Sequence, residues 1–182
     1  ADIVVYDAGA GTAAARAWWV LGWAGRARVR ILDGGLAVWR ARPAGDAAYD
    51  EAAGTRLAAL QAIDTAAIAA QPAAYRLVDA RAATAFAGDG QSPSHLPGAV
   101  NSPAAQWQDE HGRLLPRAER QALAESLGLF APGGPVVAYC GSGVAAAYWI
   151  AAVQDLGVQP RLYAGSWSAW SADPARLQAS LG

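Results

Sequence analysis

Cys140 is the single cysteine of the chain, and the residues around it are typical of a reactive thiol. It follows an apolar stretch, Val136 to Tyr139, that predicts a short buried strand. The loop that comes next consists of small residues, namely Gly141, Ser142, Gly143, Val144 and Ala145. Because this loop leads into a predicted helix, its backbone N–H groups and the positive end of the helix can converge on the sulfur. Both effects favour thiolate over thiol, so the pattern predicts a cysteine nucleophile held in an anion-binding loop.

Other chemistries of a glycine loop compete with this interpretation. A cysteine phosphatase needs an arginine at the start of the helix to bind the phosphate, and the corresponding residue is Ala146. A phosphate-binding P-loop needs a lysine, which the chain lacks. The G-x-G-x-x-A pattern of a dinucleotide-binding loop occurs at residues 141–146 and again at 9–14, where Asp33 ends the next strand. Dinucleotide binding therefore stays open as an alternative.

The elements around Cys140 have a counterpart near the beginning of the chain. Residues 3–39 predict a strand, a glycine loop, an apolar helix, a second strand and a short helix, and residues 137–170 repeat this order. Each copy therefore predicts a strand–helix–strand unit of a parallel α/β sheet. Asp7 stands in the place of Cys140, so the first copy has no thiol that could carry sulfur.

The second copy is preceded by a long segment that has no equivalent before the first. Regular alternation of apolar and polar residues stops at Pro43 and returns near Tyr75. Within the interval, Asp64 predicts the N-cap of a short helix that runs to Ala70. We therefore predict three parts: the C-terminal part of one domain at 1–42, a linker at 43–74 and a complete domain at 75–182.

The composition excludes several classes of function. The 182 residues include 14 basic and 15 acidic side chains, and this balance leaves no surplus of cations to bind nucleic acid or an anionic membrane. A single cysteine can form neither an internal disulfide nor a multi-thiolate metal site. The uncharged stretch from Val136 to Val153 approaches the ~20 residues of a membrane span. Its central glycines, Gly141 and Gly143, instead divide it into a buried strand, a turn and a buried helix.

Four motifs, in this order, resemble those of the tandem-domain rhodanese-like sulfurtransferases. They are Val78–Arg81, His95–Asn101, Cys140–Ala145 and Gly165–Trp170. The resemblance implies an α/β fold, a rhodanese-like parallel sheet with flanking helices. One complete domain would follow the C-terminal part of a second, similar and inactive domain. Because the chain has no methionine and opens directly on an apolar run, we expect an N-terminally truncated member of this family.

The resemblance also implies an activity. In this family the cysteine takes a sulfane sulfur from 3-mercaptopyruvate or thiosulfate as a persulfide and passes it to a thiophilic acceptor, cyanide or a thiol. Cys140 is the implied carrier, residues 141–145 are the implied substrate- and persulfide-binding loop, and Arg81 and Trp167 are candidate substrate contacts. No metal or organic cofactor is implied. We expect a cytoplasmic monomer whose partners are small molecules, with no nucleic acid and no membrane among them.

Two positions depart from the family pattern and support an alternative. Ala85 stands where the family has an arginine that contacts the carboxylate of the donor, and Ala145 stands where it usually has a threonine. The alternative is a non-catalytic rhodanese-like binding module or a truncated remnant. Arg81 also has a second interpretation, as the ion-pair partner of Asp79. His95 is expected to fix its loop by hydrogen bonding rather than to act as a base.

Overall fold

The strands of the molecule form two parallel sheets. The structure, a computed structural model, describes residues 2–41, 60–90 and 92–179. The smaller sheet and its helices consist of β1 (Ile3–Val5), α1 (Thr12–Trp23), β2 (Val29–Ile31) and α2 (Gly35–Arg40). The order of elements is the one predicted for the first copy. The two strands run parallel because α1 crosses between them.

The larger sheet has five parallel strands in the order β3-β7-β6-β4-β5. They are β3 (Gln61–Ile63), β4 (Arg76–Asp79), β5 (Val100–Asn101), β6 (Val136–Tyr139) and β7 (Arg161–Tyr163). The helices that accompany them are α3 (Thr65–Ala70), α4 (Ala83–Ala87), α5 (Arg117–Ser126), α6 (Val144–Gln154), α7 (Ser166–Ser171) and α8 (Pro174–Ala179). Short 3-10 helices lie at Pro72–Ala74 and Ala104–Trp107. The predicted α/β fold with a parallel sheet and flanking helices is confirmed.

The larger sheet includes part of the segment that was predicted as a linker. Strand β3 pairs in parallel with β7, so that Gln61 lies opposite Arg161 and Ile63 opposite Tyr163. These residues therefore belong to the sheet and not to a linker. Neither length nor alternation marks β3 in the sequence, because it has three residues and two of them are exposed. The remainder of the predicted linker, 43–59, lies outside the described residues.

The short helix predicted after Asp64 is confirmed. The carboxylate of Asp64 accepts a hydrogen bond from the backbone N–H of Ala67 at 2.8 Å, which satisfies one of the free donors of the first turn of α3. Ile68 of this helix is fully buried in a cluster with Leu77 of β4 and Val137 of β6. Helix α3 thus packs against one face of the sheet.

Helix α6 is buried on all sides. Every residue from Ala146 to Gln154 is buried, because the helix lies between the larger sheet and α1. The interpretation of the uncharged stretch as strand, turn and helix is confirmed, since β6 ends at Tyr139 and α6 begins at Val144. Among the described residues, no helix combines the length and the apolar character that a membrane span requires.

Two sets of tryptophans lie beside α6. Trp18 and Trp19 of α1 are buried, and α1 packs along α6. Trp149 of α6 meets Trp107 edge to face, with 5.8 Å between the ring centroids. Both of the latter indole N–H groups donate to the buried hydroxyl of Ser102, at 2.9 and 3.1 Å respectively. These contacts fix the position of the helix that follows Cys140.

The smaller sheet leaves apolar side chains exposed. Val4, Tyr6 and Trp39 are each exposed, and they line an open cavity of about 410 Å³ together with Leu36. This cavity belongs to the smaller sheet. The cysteine loop lies on the larger one, at the carboxyl end of β6.

Candidate active site

Cys140 lies directly after β6, a strand that β4 and β7 flank on either side. Its side chain points into the protein, and the residue is 3% exposed. The carboxyl ends of parallel strands, where loops lead into helices, are the usual location of binding sites in α/β sheets. The fold therefore places the thiol where the sequence predicted it.

The loop after Cys140 turns back on the sulfur. Of the amides expected to converge there, that of Gly143 donates to Sγ at 3.1 Å. Gly143 has a φ of +82° and caps α6, a conformation that a side chain would strain. Ser142 is exposed at the tip of the loop, Gly141 is half-buried, and Val144 and Ala145 form the first turn of α6. The sulfur thus lies at the positive end of a helix of 11 residues.

A second loop, before and within α7, holds the cysteine loop in place. The hydroxyl of Ser166 accepts a hydrogen bond from the backbone N–H of Cys140 at 3.1 Å and donates to the carbonyl of Tyr163 at 2.9 Å. The amide of Trp167 donates to the carbonyl of Cys140 at 2.9 Å. The amide and the hydroxyl of Ser168 both donate to the carbonyl of Gly141, at 3.0 and 2.6 Å. Both peptide groups that flank the cysteine α-carbon are therefore fixed.

Ser166 holds a strained backbone conformation. Its φ is +54°, in the left-handed region that residues other than glycine rarely adopt. Gly35 occupies the equivalent position in the first copy, with a φ of +59°. The serine persists there because its buried hydroxyl bonds to the peptide N–H of the cysteine.

Sequence reasoning missed Ser166 and Ser168 as site residues. Both lie in the Gly165–Trp170 motif that supported the resemblance, but neither was assigned a role. A signal was present, since aligning the two copies places Ser166 opposite a glycine. A polar residue in place of a left-handed glycine indicates a hydrogen bond that compensates the strain.

The first copy shows how a loop of this type binds an anion. The carboxylate of Asp7 accepts hydrogen bonds from the amides of Gly9, Gly11 and Ala14, at 3.0, 3.1 and 3.0 Å. Burial raises the pKa of Asp7, but these backbone donors outweigh it and hold the pKa below its ordinary value. The carboxylate that stands in the place of the cysteine is thus the anion that the loop amides bind.

The same contacts bear on dinucleotide binding. The amides of the 9–14 loop that would bind a pyrophosphate already bind the Asp7 carboxylate. Asp33, the proposed ribose ligand, accepts the amide of Leu114 at 2.9 Å, and burial raises its pKa. The first copy therefore uses the groups of this fingerprint for its own packing.

Arg81 and Trp167 lie together beside the cysteine loop. The Nε of Arg81 is 3.0 Å from both carboxylate oxygens of Asp79, and its Nη2 donates to Oδ2 at 2.6 Å and to the carbonyl of Ser94 at 2.6 Å. The guanidinium stacks over the Trp167 ring, 5.1 Å from its centroid. Burial lowers the pKa of Arg81, but the bond to Asp79 outweighs this and the pKa is raised. This geometry is that of a structural ion pair, the second interpretation given above.

His95 has the role in its loop that the sequence predicted. Its Nδ1 lies 3.0 Å from the carbonyl of Phe86, and the two rings stack with centroids 4.0 Å apart. The next amide, of Leu96, donates to the hydroxyl of Tyr139 at 3.0 Å. Burial raises the pKa of that Tyr139 hydroxyl above its ordinary value. The loop is thereby tied to the strand that carries Cys140.

Within the described ranges, no group of three or more histidine, cysteine, aspartate or glutamate side chains could hold a metal ion. The chemistry available at the site is that of one thiol that accepts a peptide N–H at the N-terminus of α6. Such a site can stabilise a thiolate or another sulfur anion.

Comparison with known proteins gives consistent results. Residues 60–173 match the family model described as the rhodanese-like domain, a match that begins just before β3. The chain is 39% identical to the putative thiosulfate sulfurtransferase SseB of Mycobacterium tuberculosis. The match covers 96% of this chain and 65% of that protein. It is 40% identical to a probable 3-mercaptopyruvate sulfurtransferase of Pseudomonas aeruginosa, over 96% of this chain and 66% of that one.

Solved structures show the same fold. A structure of EanB in complex with hercynine superposes with a TM-score of 0.75 at 21% identity, over 96% of this chain and 49% of that one. An anaerobic ergothioneine biosynthesis enzyme from Chlorobium limicola gives a TM-score of 0.74 at 20% identity, over 96% and 50% of the two chains. Fold, site and family model agree, and the chain belongs to the rhodanese-like family.

Proposed function

We propose that this chain is a sulfurtransferase in which Cys140 carries the transferred sulfur as a persulfide. One observation carries the proposal: Sγ of Cys140 accepts the Gly143 amide at 3.1 Å at the positive end of α6, in a nearly solvent-free position. Backbone donors and the helix dipole favour the anionic forms of sulfur, both the thiolate and the persulfide. The names of the curated relatives support the same activity.

The first copy supports this role of the loop. Its amides hold the carboxylate of Asp7, whose oxygens reach farther from the backbone than a cysteine sulfur does. A persulfide adds one sulfur atom to Cys140 and moves the negative charge outward by one bond. The outer sulfur of the persulfide would then occupy the part of the loop that corresponds to the carboxylate oxygens.

The proposed first half-reaction forms the persulfide. The Cys140 thiolate attacks the sulfur of the donor and forms an S–S bond. With 3-mercaptopyruvate the carbon–sulfur bond breaks, its electron pair remains on carbon, and the enolate takes up a proton to give pyruvate. With thiosulfate the sulfur–sulfur bond breaks and sulfite leaves. Ser142 is exposed in the loop, and we propose that its hydroxyl orients the donor or assists the proton transfer.

The second half-reaction regenerates the enzyme. A thiophilic acceptor attacks the outer sulfur, the S–S bond breaks, and the electron pair returns to Sγ of Cys140 as thiolate. Cyanide leaves as thiocyanate, and a thiol leaves as a persulfide. The ties from Ser166 and Trp167 keep the backbone of Cys140 fixed through both steps.

We propose 3-mercaptopyruvate as the better donor. Residues 141–145 carry no charge, so the loop offers peptide dipoles but no cation of its own. Thiosulfate is a dianion with both charges close to the reacting sulfur, and it gains most from cations in the loop. 3-Mercaptopyruvate has a single carboxylate, so its binding depends less on cations in the loop.

The test is thiocyanate formation from cyanide, with 3-mercaptopyruvate and thiosulfate as separate donors. The native chain is expected to turn over, faster with 3-mercaptopyruvate, and Cys140→Ala is expected to be inactive. Ser126→Ala is the matched control, because Ser126 is exposed on α5 and its hydroxyl donates to Leu123 in its own helix. Equal activity in Cys140→Ala would refute the proposal. Inactivity of the native chain with both donors would favour the non-catalytic module.

A further inference from the structure

Helices α1 and α6 each have one side chain that lies beside the glycine loop of the other copy. A Cβ atom built on Gly11 would lie 3.1 Å from the Tyr148 ring, and one built on Gly143 would lie 3.5 Å from Nη1 of Arg16. Gly11 and Gly143 are the left-handed glycines that begin the two helices. Arg16 and Tyr148 are equivalent, because each lies the same number of residues after its glycine. The first copy thus places a cation against the loop of Cys140.

Within the described residues, Arg16 is half-buried and has an aromatic neighbour but no acidic partner. Its Nη1 is buried and makes no hydrogen bond, and its guanidinium lies 5.4 Å from the ring centroid of Trp19. In the described part of the chain no carboxylate pairs with Arg16. Leaving a buried guanidinium nitrogen without an acceptor is unfavourable unless a nearby anion compensates. This nitrogen lies beside Gly143, whose amide donates to the cysteine sulfur.

The other charged groups around the cysteine loop balance one another. Asp79 and Arg81, at the end of β4, form a close ion pair. Helix α6 contains no charged residue, and α7 contributes Trp167 and hydroxyl groups. On β6, the hydroxyl of Tyr139 has its pKa raised by burial, so it stays neutral. Arg16 is therefore the cation next to the loop that no acid within the described residues offsets.

We infer that Arg16 is a positioning residue that stabilises the negative charge of the Cys140 thiolate and persulfide from across the α1–α6 interface. This inference rests on the proposed role of Cys140 as the nucleophile. Arg16 is half-buried and its buried Nη1 faces Gly143, so we propose that it acts through the field at the loop and not by binding the donor directly. A positive charge close to an acid favours the ionised form of that acid. The copy without a cysteine would thus supply the positive charge that residues 141–145 lack.

The test is the pH dependence of Cys140 alkylation by iodoacetamide, a neutral reagent that needs no sulfur donor. We expect Arg16→Gln to raise the midpoint of the alkylation profile by about one pH unit, because the thiolate loses a cation beside its loop. Arg16→Met removes the charge without burying a new amide and is expected to give the same shift. Arg16→Lys keeps the charge and is expected to stay close to the native midpoint. Thermal unfolding of each variant identifies those that fold.

The matched control is Tyr148→Phe, the equivalent position on the other helix, which faces the loop without a cysteine. It is expected to leave the alkylation midpoint unchanged. Native-like midpoints in the folded charge-removing variants would overturn the inference, as would a shift in Arg16→Lys equal to theirs. Sulfur uptake with unshifted midpoints would mean that this inference alone fails. Shifted midpoints without sulfur uptake from any donor would mean that the proposed function fails and the charge effect stands.

Discussion

Two residues distinguish the glycine loops of the two copies. Asp7 fills its own loop with a carboxylate, and Cys140 presents a sulfur that accepts the amide of Gly143. In both loops the hydrogen-bond donors are backbone amides of small residues. The backbone therefore supplies the anion site, and the side chain of residue 7 or 140 decides what occupies it. The chemistry of the second loop therefore depends on one side chain in a general anion-binding frame.

Ser166 allows a test of how firmly that frame is held. Ser166→Ala leaves the buried N–H of Cys140 without an acceptor and keeps the left-handed strain, so we expect a loss of about 1–3 kcal/mol in unfolding free energy. Ser166→Gly also removes the acceptor but relieves strain of about 1–2 kcal/mol, so its loss is expected to be smaller. Urea unfolding measures both. Ser126→Ala, an exposed site on α5, serves as the control, and a Ser166→Ala as stable as the native chain would contradict the account.

At the scale of elements, the sequence predicted those parts whose pattern is local. The strand, glycine loop and helix around Cys140 are contiguous, and each has its own signal in apolar residues and glycines. Strand β3 was missed, since its three residues become a strand through pairing with β7, which lies far away in the sequence. The bond from Ser166 to Cys140 was missed for the same reason: it joins loops that only the folded sheet brings together.

The position of α6, and with it the first turn after Cys140, depends on Ser102. Two buried indole N–H groups, of Trp107 and Trp149, share its hydroxyl as acceptor. Ser102→Ala leaves both donors unsatisfied, and we expect a loss of about 2–5 kcal/mol in unfolding free energy. Chemical denaturation monitored by tryptophan fluorescence measures this loss, with Ser126→Ala on α5 as the control. A loss no larger than that of the control would mean that the shared hydroxyl does not hold the helix.

At the scale of the whole molecule, the two copies are held together by more than apolar packing. Helices α1 and α6 form the main contact, and polar bonds surround it. Asp33 at the end of β2 accepts the amide of Leu114, and the side chain of Gln108 donates to the carbonyl of Ala10. The sequence could not predict these bonds, because they join the first copy to residues 108–114, which only the packing of the helices brings beside it.

Asp33 makes this interface sensitive to pH. Burial raises its pKa, so its contribution to stability is fully present below the unfolded pKa of about 3.9 and is lost as pH rises through the folded pKa. Asp33→Asn stays neutral and can still accept the Leu114 amide. We expect the unfolding free energy of Asp33→Asn, relative to the native chain, to increase as pH rises from acid to neutral. Unfolding curves across that range measure it, and a difference independent of pH would contradict the raised pKa.

Asp7 provides the control of opposite sign. Backbone donors outweigh burial and lower its pKa, so its contribution is present above the unfolded pKa and is lost as pH falls through the folded pKa. Asp7→Asn is therefore expected to become less stable, relative to the native chain, as pH rises. Parallel trends in the two variants would show that the pH dependence does not come from these carboxyl groups.

The central claim, that Cys140 carries sulfur, is tested most directly by intact-mass spectrometry. The native chain and Cys140→Ala are incubated separately with 3-mercaptopyruvate and with thiosulfate, and cyanide is then added. We predict that the native chain gains the mass of one sulfur atom, most completely from 3-mercaptopyruvate, and loses it to cyanide, while Cys140→Ala gains none. An unchanged mass of the native chain with both donors, or an equal gain in Cys140→Ala, would contradict the account.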